Sequence, residues 1–429
     1  MPNLYYRKNN VTNTIETYSA SESFWEEEGL IRFGGSTYYF PMTSDLSHDY
    51  ATHLRFRQNG FTYTAMHGSH GQLWGWGSNS RGQIGDLTTA HKSSPVQVGS
   101  ATRWHQVASG ESHITQESNS AGIDADKKLW TWGRNTEGAL GVDGTANRSS
   151  PTLVGVDHNW KQVDCGRNRT MAVKRDATLW GAGSNSAGQI GDGTITNVTG
   201  SFKQIGALTN WKRVAAGLLH TVALKTDGTI WSWGYNNVGQ LGHGDITHRS
   251  SPVQIGSLTD WVFVTTSDNQ TFGIRSNGSL WGWGENTRGQ LGQSDIVDYS
   301  SPVQIGAGQN WKKCAAGSNM TFMINSDADL WGVGQGVNGG LGRPDNTDRS
   351  SPVLISGSKD WRMVAAGGAA GAAVKSNGTL YTWGNSAYGA MGNGTSTGNN
   401  ISSPTQLGSN TDWKYIAMGE HLTVLGIRG

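Results

Sequence analysis

Charge is scarce in this 429-residue chain. Asp, Glu, Lys and Arg make up 15% of it, against about 25% in ordinary soluble proteins, and the formal net charge is +1. Acidic and basic residues alternate throughout, so there is no domain-wide basic field to draw in a phosphate backbone, and nucleic acid is not an expected partner. Cysteine is scarcer still. Two residues cannot form a disulfide framework, and Cys165 in WKQVDCG and Cys314 in WKKCAAG read as small buried core residues. No apolar run approaches the roughly 20 residues that span a bilayer, which excludes membrane insertion by a helix. Met1 to Ala20 lacks the apolar centre of a secretory signal, so the expected chain is soluble with no readable export address.

What the sequence has instead is glycine and tryptophan. Glycine stands at 62 positions, about twice the usual share of about 7%, and 19 tryptophans supply large apolar bodies that need burial. They recur. LWxWG places Trp74, Trp130, Trp180, Trp231, Trp281 and Trp331, with Tyr381 in LYTWG, at intervals of 56, 50, 51, 50, 50 and 50 residues. A second series, Trp104, Trp160, Trp211, Trp261, Trp311, Trp361 and Trp413, follows each of these by 30 to 32 residues.

Within the unit from Trp211, WKRVAAG is a short apolar run and HTVALK alternates like a half-buried strand. Asp227–Gly228 then reads as a two-residue hairpin turn leading into TIWSWG. SSPVQIG gives a fourth strand whose proline suits an outer edge, because that position lacks a donor. Four short strands per repeat, closed radially to leave few open edges, predict an all-β, seven-bladed β-propeller of four-stranded blades.

HTVALKTDGTIWSWGYNNVGQLG closely resembles the repeats of the regulator of chromosome condensation family, and the likeness extends over roughly residues 61 to 429. The resemblance implies the propeller fold; its members range over exchange factors, photoreceptors, inhibitors and phage proteins, so it implies no single activity. The photoreceptor signature GWRHT has no counterpart, since the equivalent segments read GESHIT, GLLHT and GEHLT.

The ends show how the ring should close. Residues 413–429 are the first half of a unit, and QLWGWGSNSRGQIG through SSPVQVG supply a second half. The expectation is a propeller over 53–429, closed by pairing of 413–429 with about 61–99. HLRFRQNGFTYTAMH, a hairpin around Asn59–Gly60, competes for the same place. Residues 1–52 lie outside the repeat, carry the acidic run Glu26 to Glu28, and read as a short non-repeat N-terminal arm or attachment segment.

The recurrent motifs read as structure. His113, His220 and His421 give way to Asn168, Asn269 and Asn319 in other repeats, so no metal-ligand ring is expected. GQLGHGD lacks the Lys-Ser or Lys-Thr pair and helix of a phosphate loop, and the asparagine of WGxN is expected to bond its own loop. No catalytic or cofactor site stands apart from the repeat, which predicts a non-enzymatic protein without cofactors. Symmetry breaks at the strand-one tips, and the candidate binding surface comprises Glu111, Arg167, Leu218, Leu219, Asp268 and Asn319.

Two functions follow as expectations. The Asn/Ser/Thr-rich, low-charge repeats with a short arm look like bacteriophage virion proteins, for which the partners would be other virion proteins through the arm, a host surface protein or glycan, or further copies of the chain, and the location the virion. The alternative is a cytoplasmic regulatory propeller that binds a protein, in the manner of a small-GTPase exchange factor or an inhibitor.

Overall fold

In the computed structural model, the residues described are 70–429 apart from 111–117, 397 and 421, together with the backbone of seven short strands within 1–69. Two units separate, 1–69 and 70–429. In the first, Leu4–Asn9 pairs with Thr14–Ser19, Leu30–Phe33 with Glu26–Glu27 and Ser36–Tyr39, and Arg55–Gln58 with Phe61–Thr64. Arg55–Gln58 and Phe61–Thr64 thus form a two-stranded sheet of their own.

The second unit is a seven-bladed β-propeller. Six blades are consecutive antiparallel four-stranded sheets, and the seventh is composite, in the order Trp413–Met418, Thr423–Arg428, Gln72–Gly77, Lys92–Gln97. The chain ends therefore meet side by side, Val424 opposite Trp76 and Ile427 opposite Leu73. Pro95, Pro151, Pro252, Pro302, Pro352 and Pro404 all stand on outermost strands, where a missing N–H costs no ladder bond.

The turn between strands two and three departs from the two-residue form expected. Lys225 N–H donates to Thr229 O and Gly228 N–H to Lys225 O, which makes a three-residue loop with only its last residue left-handed, Gly228 at φ 80°. Asp227 instead accepts from the Thr229 amide and hydroxyl. Ala177 and Ala328 take the same conformation, both at φ 62°, so the turn persists where glycine does not.

The core lies between blades. Seven apolar clusters form, each joining one blade to the next: Met171, Val173, Leu179 and Ile190 of one blade meet Trp211, Val214, Ala216 and Trp233 of its neighbour. No blade buries its faces alone, which is why the repeat must be closed into a ring. Each blade also seats its leading tryptophan against strand three, as in the edge-on pair Trp211–Trp231, with Lys225 Nζ 3.5 Å from the Trp231 ring centre. In the closing blade, Trp413 packs edge-on against Trp76 with ring centres 5.8 Å apart.

Truncating Trp413 to alanine is expected to cost about 3–5 kcal/mol, the usual price of emptying a tryptophan site. Trp261→Ala, at the same position of an uninterrupted blade, should cost a similar amount. Urea unfolding of the two variants checks this; a much cheaper Trp413→Ala would show that the composite blade is not part of the cooperative unit.

Candidate functional site

The innermost strands run along the central axis, and their residues fall into layers. One residue beyond each leading tryptophan stand His105, Lys161, Lys212, Val262, Lys312, Arg362 and Lys414; two beyond stand Gln106, Gln162, Arg213, Phe263, Lys313, Met363 and Tyr415. The two-beyond side chains reach along the channel wall to the next blade's free inner edge. Gln106 donates to Val163 O at 3.0 Å and accepts from Val163 N–H, Gln162 does the same with Val214, and Arg213 Nε donates to Val264 O. Asp164, four beyond, accepts from Ala216 N–H of the next blade, and its burial raises its carboxyl above the usual range.

Six residues beyond the tryptophan the strands converge in a ring of Gly110, Gly166, Gly217, Ser267, Gly317, Gly367 and Gly419. A Cβ on Gly166 would lie 2.5 Å from Gly217 O, and one on Gly367 2.3 Å from Gly419 O. Only glycine allows backbones this close.

The tips follow this ring. Of the residues singled out from sequence, Leu218 and Asp268 are buried, at 7% and 2% exposed, whereas Arg167, Leu219 and Asn319 are half-buried; Glu111 lies outside the described residues, as do His113 and His421. The tips are therefore not free surface loops. They are short enough that neighbouring blades cover their first residues: Leu218 N–H donates to Asp268 O, and Ser318 Oγ donates to Glu420 Oε1 at 2.9 Å, past the Gly368–Ala369 tip of the blade between.

Residues that the sequence reading missed hold the tips in place. Nine beyond the leading tryptophan, fully buried Arg169 donates to the carbonyls of Gly217, Leu218 and His220, and Gln270 donates to Ser318 O. His220 is also fully buried, its Nε2 2.9 Å from Thr271 Oγ1. Burial pushes its pKa down to about 3, with the Arg169 charge a lesser cause. The strand register sets Arg169 and Gln270 level with His220, in place of the Asn168 and Asn269 expected from sequence; the signal was a polar residue opening strand two in three successive repeats. The asparagines of WGxN act as expected: Asn236 Oδ1 accepts from Leu241 N–H and its Nδ2 donates to Asp245 O and Thr247 O. Cys165 and Cys314 are buried in separate clusters, and burial raises both thiols.

Geometry of this kind, seven repeated four-stranded blades closed into a ring with different side chains at one mouth, defines a repeat-built β-propeller. Residues 115–425 match the model of the RCC1-like domain, and residues 70–115 that of the regulator of chromosome condensation (RCC1) repeat. The chain belongs to the RCC1-like domain family.

Among its relatives is the ultraviolet-B receptor UVR8 of Arabidopsis thaliana, 31% identical over 189 residues, which are 43% of this chain and 41% of the receptor. The human E3 ubiquitin-protein ligase HERC2 is 28% identical over 201 residues, 44% of this chain and 4% of the ligase. Human protein RCC2 is 34% identical over 126 residues, 28% of this chain and 24% of that protein. Each match spans less than half of the relative's length. Solved structures agree on the fold: human WBSCR16 has a TM-score of 0.73 at 19% identity, covering 83% of this chain and 98% of that one. Yeast RCC1 (Prp20), solved bound to Kap60, has a TM-score of 0.74 at 20% identity, covering 84% and 90%.

The buried histidine has a measurable consequence. Its folded pKa lies below the unfolded value of 6.5, so its contribution to stability is fully present above pH 6.5 and is lost as pH falls toward 3, where only the unfolded chain takes the proton. Between pH 7 and pH 5 the loss from His220 alone is about 2 kcal/mol. His243, pushed down to about 4 chiefly by burial, acts in the same window. His220→Gln, which places there the residue the next blade carries, should retain more of its pH 7 stability at pH 5 than the wild type does. Urea midpoints at the two pH values decide it.

Proposed function

We propose that this chain is a non-enzymatic regulatory propeller that recognises a protein partner through its tip mouth and acts inside the cell. The observation that carries this reading is the contrast within the tips of three successive blades. Leu218, Asp268 and Ser318 are buried and fixed by bonds to other blades, and beside them Leu219, Asn269 and Asn319 are half-buried; in the blade before, the half-buried tip residue is Arg167. Variable side chains on a rigid ring are what selective protein recognition needs. Yeast RCC1 was solved with a protein bound, and the same protein has been characterised for binding Gsp1p and histones; these relationships support a protein partner here. Exchange on a small GTPase is a finer reading on which no residue described above bears.

The virion assignment rests on repeat style and on the arm at 1–52. The relatives named above come from a plant, human and yeast, and none is a virion component. The regulatory reading is accordingly the better supported.

A photo-reactive benzoylphenylalanine at position 219 should crosslink in cells to one defined protein, while the same probe at Leu354, an exposed position on an outermost strand, should not. Arg167→Glu combined with Leu219→Asp should then weaken binding of that protein by about tenfold or more. Equal crosslinking from both sites, or full affinity in the double variant, would remove the tip mouth from the interface.

A further inference from the structure

The mouth opposite the tips is chemically different. Every innermost strand carries a β-bulge at its start: Trp160 pairs with Lys174 and Gln162 with Val173, leaving Lys161 as the extra residue, and the same shift occurs in all seven blades. A bulge re-aims the side chain at the extra position. Here that position is occupied by Lys161, Lys212, Lys312, Arg362 and Lys414, by His105, and in one blade by Val262. Sevenfold geometry sets these residues at one height around one axis.

The cations sense each other. Burial holds Lys212 below the ordinary lysine range, and the neighbouring Lys161 adds to it; burial lowers Lys414 as well, against an opposing Asp412, with Arg362 a smaller cause in the same direction as burial. One layer deeper, Lys313 is lowered by burial and by Arg213 and Arg362, which lie on two other blades. Lys161, Lys212 and Lys312 are exposed, and among the described residues neither Lys161 nor Lys212 is paired with a carboxylate. The carboxylates beside the rim are engaged elsewhere or set deeper. Asp157 pairs with Lys174, Asp260 with Arg275, Asp360 with Lys375 and Asp412 with Arg428, while Asp164 lies further down the channel and takes two backbone N–H bonds. The channel then narrows at the ring of glycines.

We infer that this basic rim is a binding site for a compact polyphosphate anion, held on the propeller axis by Lys161, Lys212, Lys312, Arg362 and Lys414. Cations that converge on an axis above a narrowing channel favour a small ligand with several charges close together over an extended chain. Lysine serves phosphate as a point charge and needs no planar partner. Like charges crowded at the mouth focus the field there and are relieved by the anion. The partner differs in kind and in place from the protein proposed for the tips, so the two readings stand or fall separately.

The test is isothermal titration calorimetry on the full chain, with inorganic tripolyphosphate and inositol hexakisphosphate as probes and polyglutamate as the acidic-peptide comparison. Both phosphate probes should bind, more weakly as salt is raised. Lys161→Glu with Lys212→Glu should weaken them about tenfold or more, whereas Lys203→Glu with Arg288→Glu, an equal change of charge on outer surfaces, should not. Val262→Lys completes the ring at an exposed position and should tighten binding about threefold. Circular dichroism confirms that each variant is folded. The inference is overturned if neither phosphate probe binds at low salt, if polyglutamate alone binds, if the rim and outer reversals have equal effects, or if Val262→Lys binds no tighter than the wild type.

Discussion

The ring depends on a single backbone carbonyl, that of the glutamine in each GQLG or GQIG loop. Gln189 O accepts from Thr221 Oγ1 at 2.7 Å and from Trp233 Nε1 at 3.0 Å, both on the next blade; Gln240 O accepts from Thr271 and Trp283 in the same way, and Gln83 O from Ser120 and Trp132. The acceptor is buried and both its lone pairs are used, so losing either donor would leave a desolvated group behind. That explains at once why the loop must be tight and why a hydroxyl recurs at the same point of strand two; where the second tryptophan of LWxWG is replaced by Ala182 or Val333, the hydroxyl of Thr170 or Thr321 still holds the loop carbonyl of the preceding blade. Where the chain ends meet, Trp76 donates to Ala390 O, so the closing blade keeps the tryptophan bond with alanine in the glutamine's place.

Much of this was legible because the repeat period, the hydrophobic alternation and the special residues all point to one answer. The outer-strand prolines, the loop-bound asparagines and the half-units at 72–99 and 413–429 are local facts that need no knowledge of neighbours. The hairpin turn was read less well. Asp-Gly suits both a two-residue and a three-residue loop, and the choice is set by the strand register, which sequence does not display. The tips were misjudged for a related reason. Between strands of one blade Leu218 and Asp268 look like loop residues, and only the approach of the next blade, at the glycine ring, covers them.

The basic rim was missed through averaging. A net charge of +1 is true of the whole chain and says nothing about where charge is gathered. Most cations at the ends of second strands are consumed within their own blades, Lys225 over Trp231 and Arg275 against Asp260. After the leading tryptophan, Lys161 and Lys212 pair with no carboxylate among the described residues, while Arg362 donates to the carbonyls of Trp413 and Lys414 and Lys414 to that of His70; the series WK, WK, WK, WR, WK is visible in the sequence once the bulge that re-aims them is known. Low overall charge and a focused field are compatible when symmetry does the focusing.

The two mouths are joined by the shortest path the fold allows, since six residues of one strand separate the rim lysine from the tip. Yet the intervening layers are built to resist movement. Gln106 and Gln162 bind the neighbouring inner edge in both directions, and the glycine ring leaves no space for a backbone shift. A ring of blades that touch only their neighbours can yield in one wedge only by straining the two beside it, and closure leaves no free end to take up the strain. Occupancy of one mouth would therefore reach the other through the long-range field rather than through a change of shape. Screening by salt would weaken that coupling, as it would weaken any action between charges separated by the length of a strand.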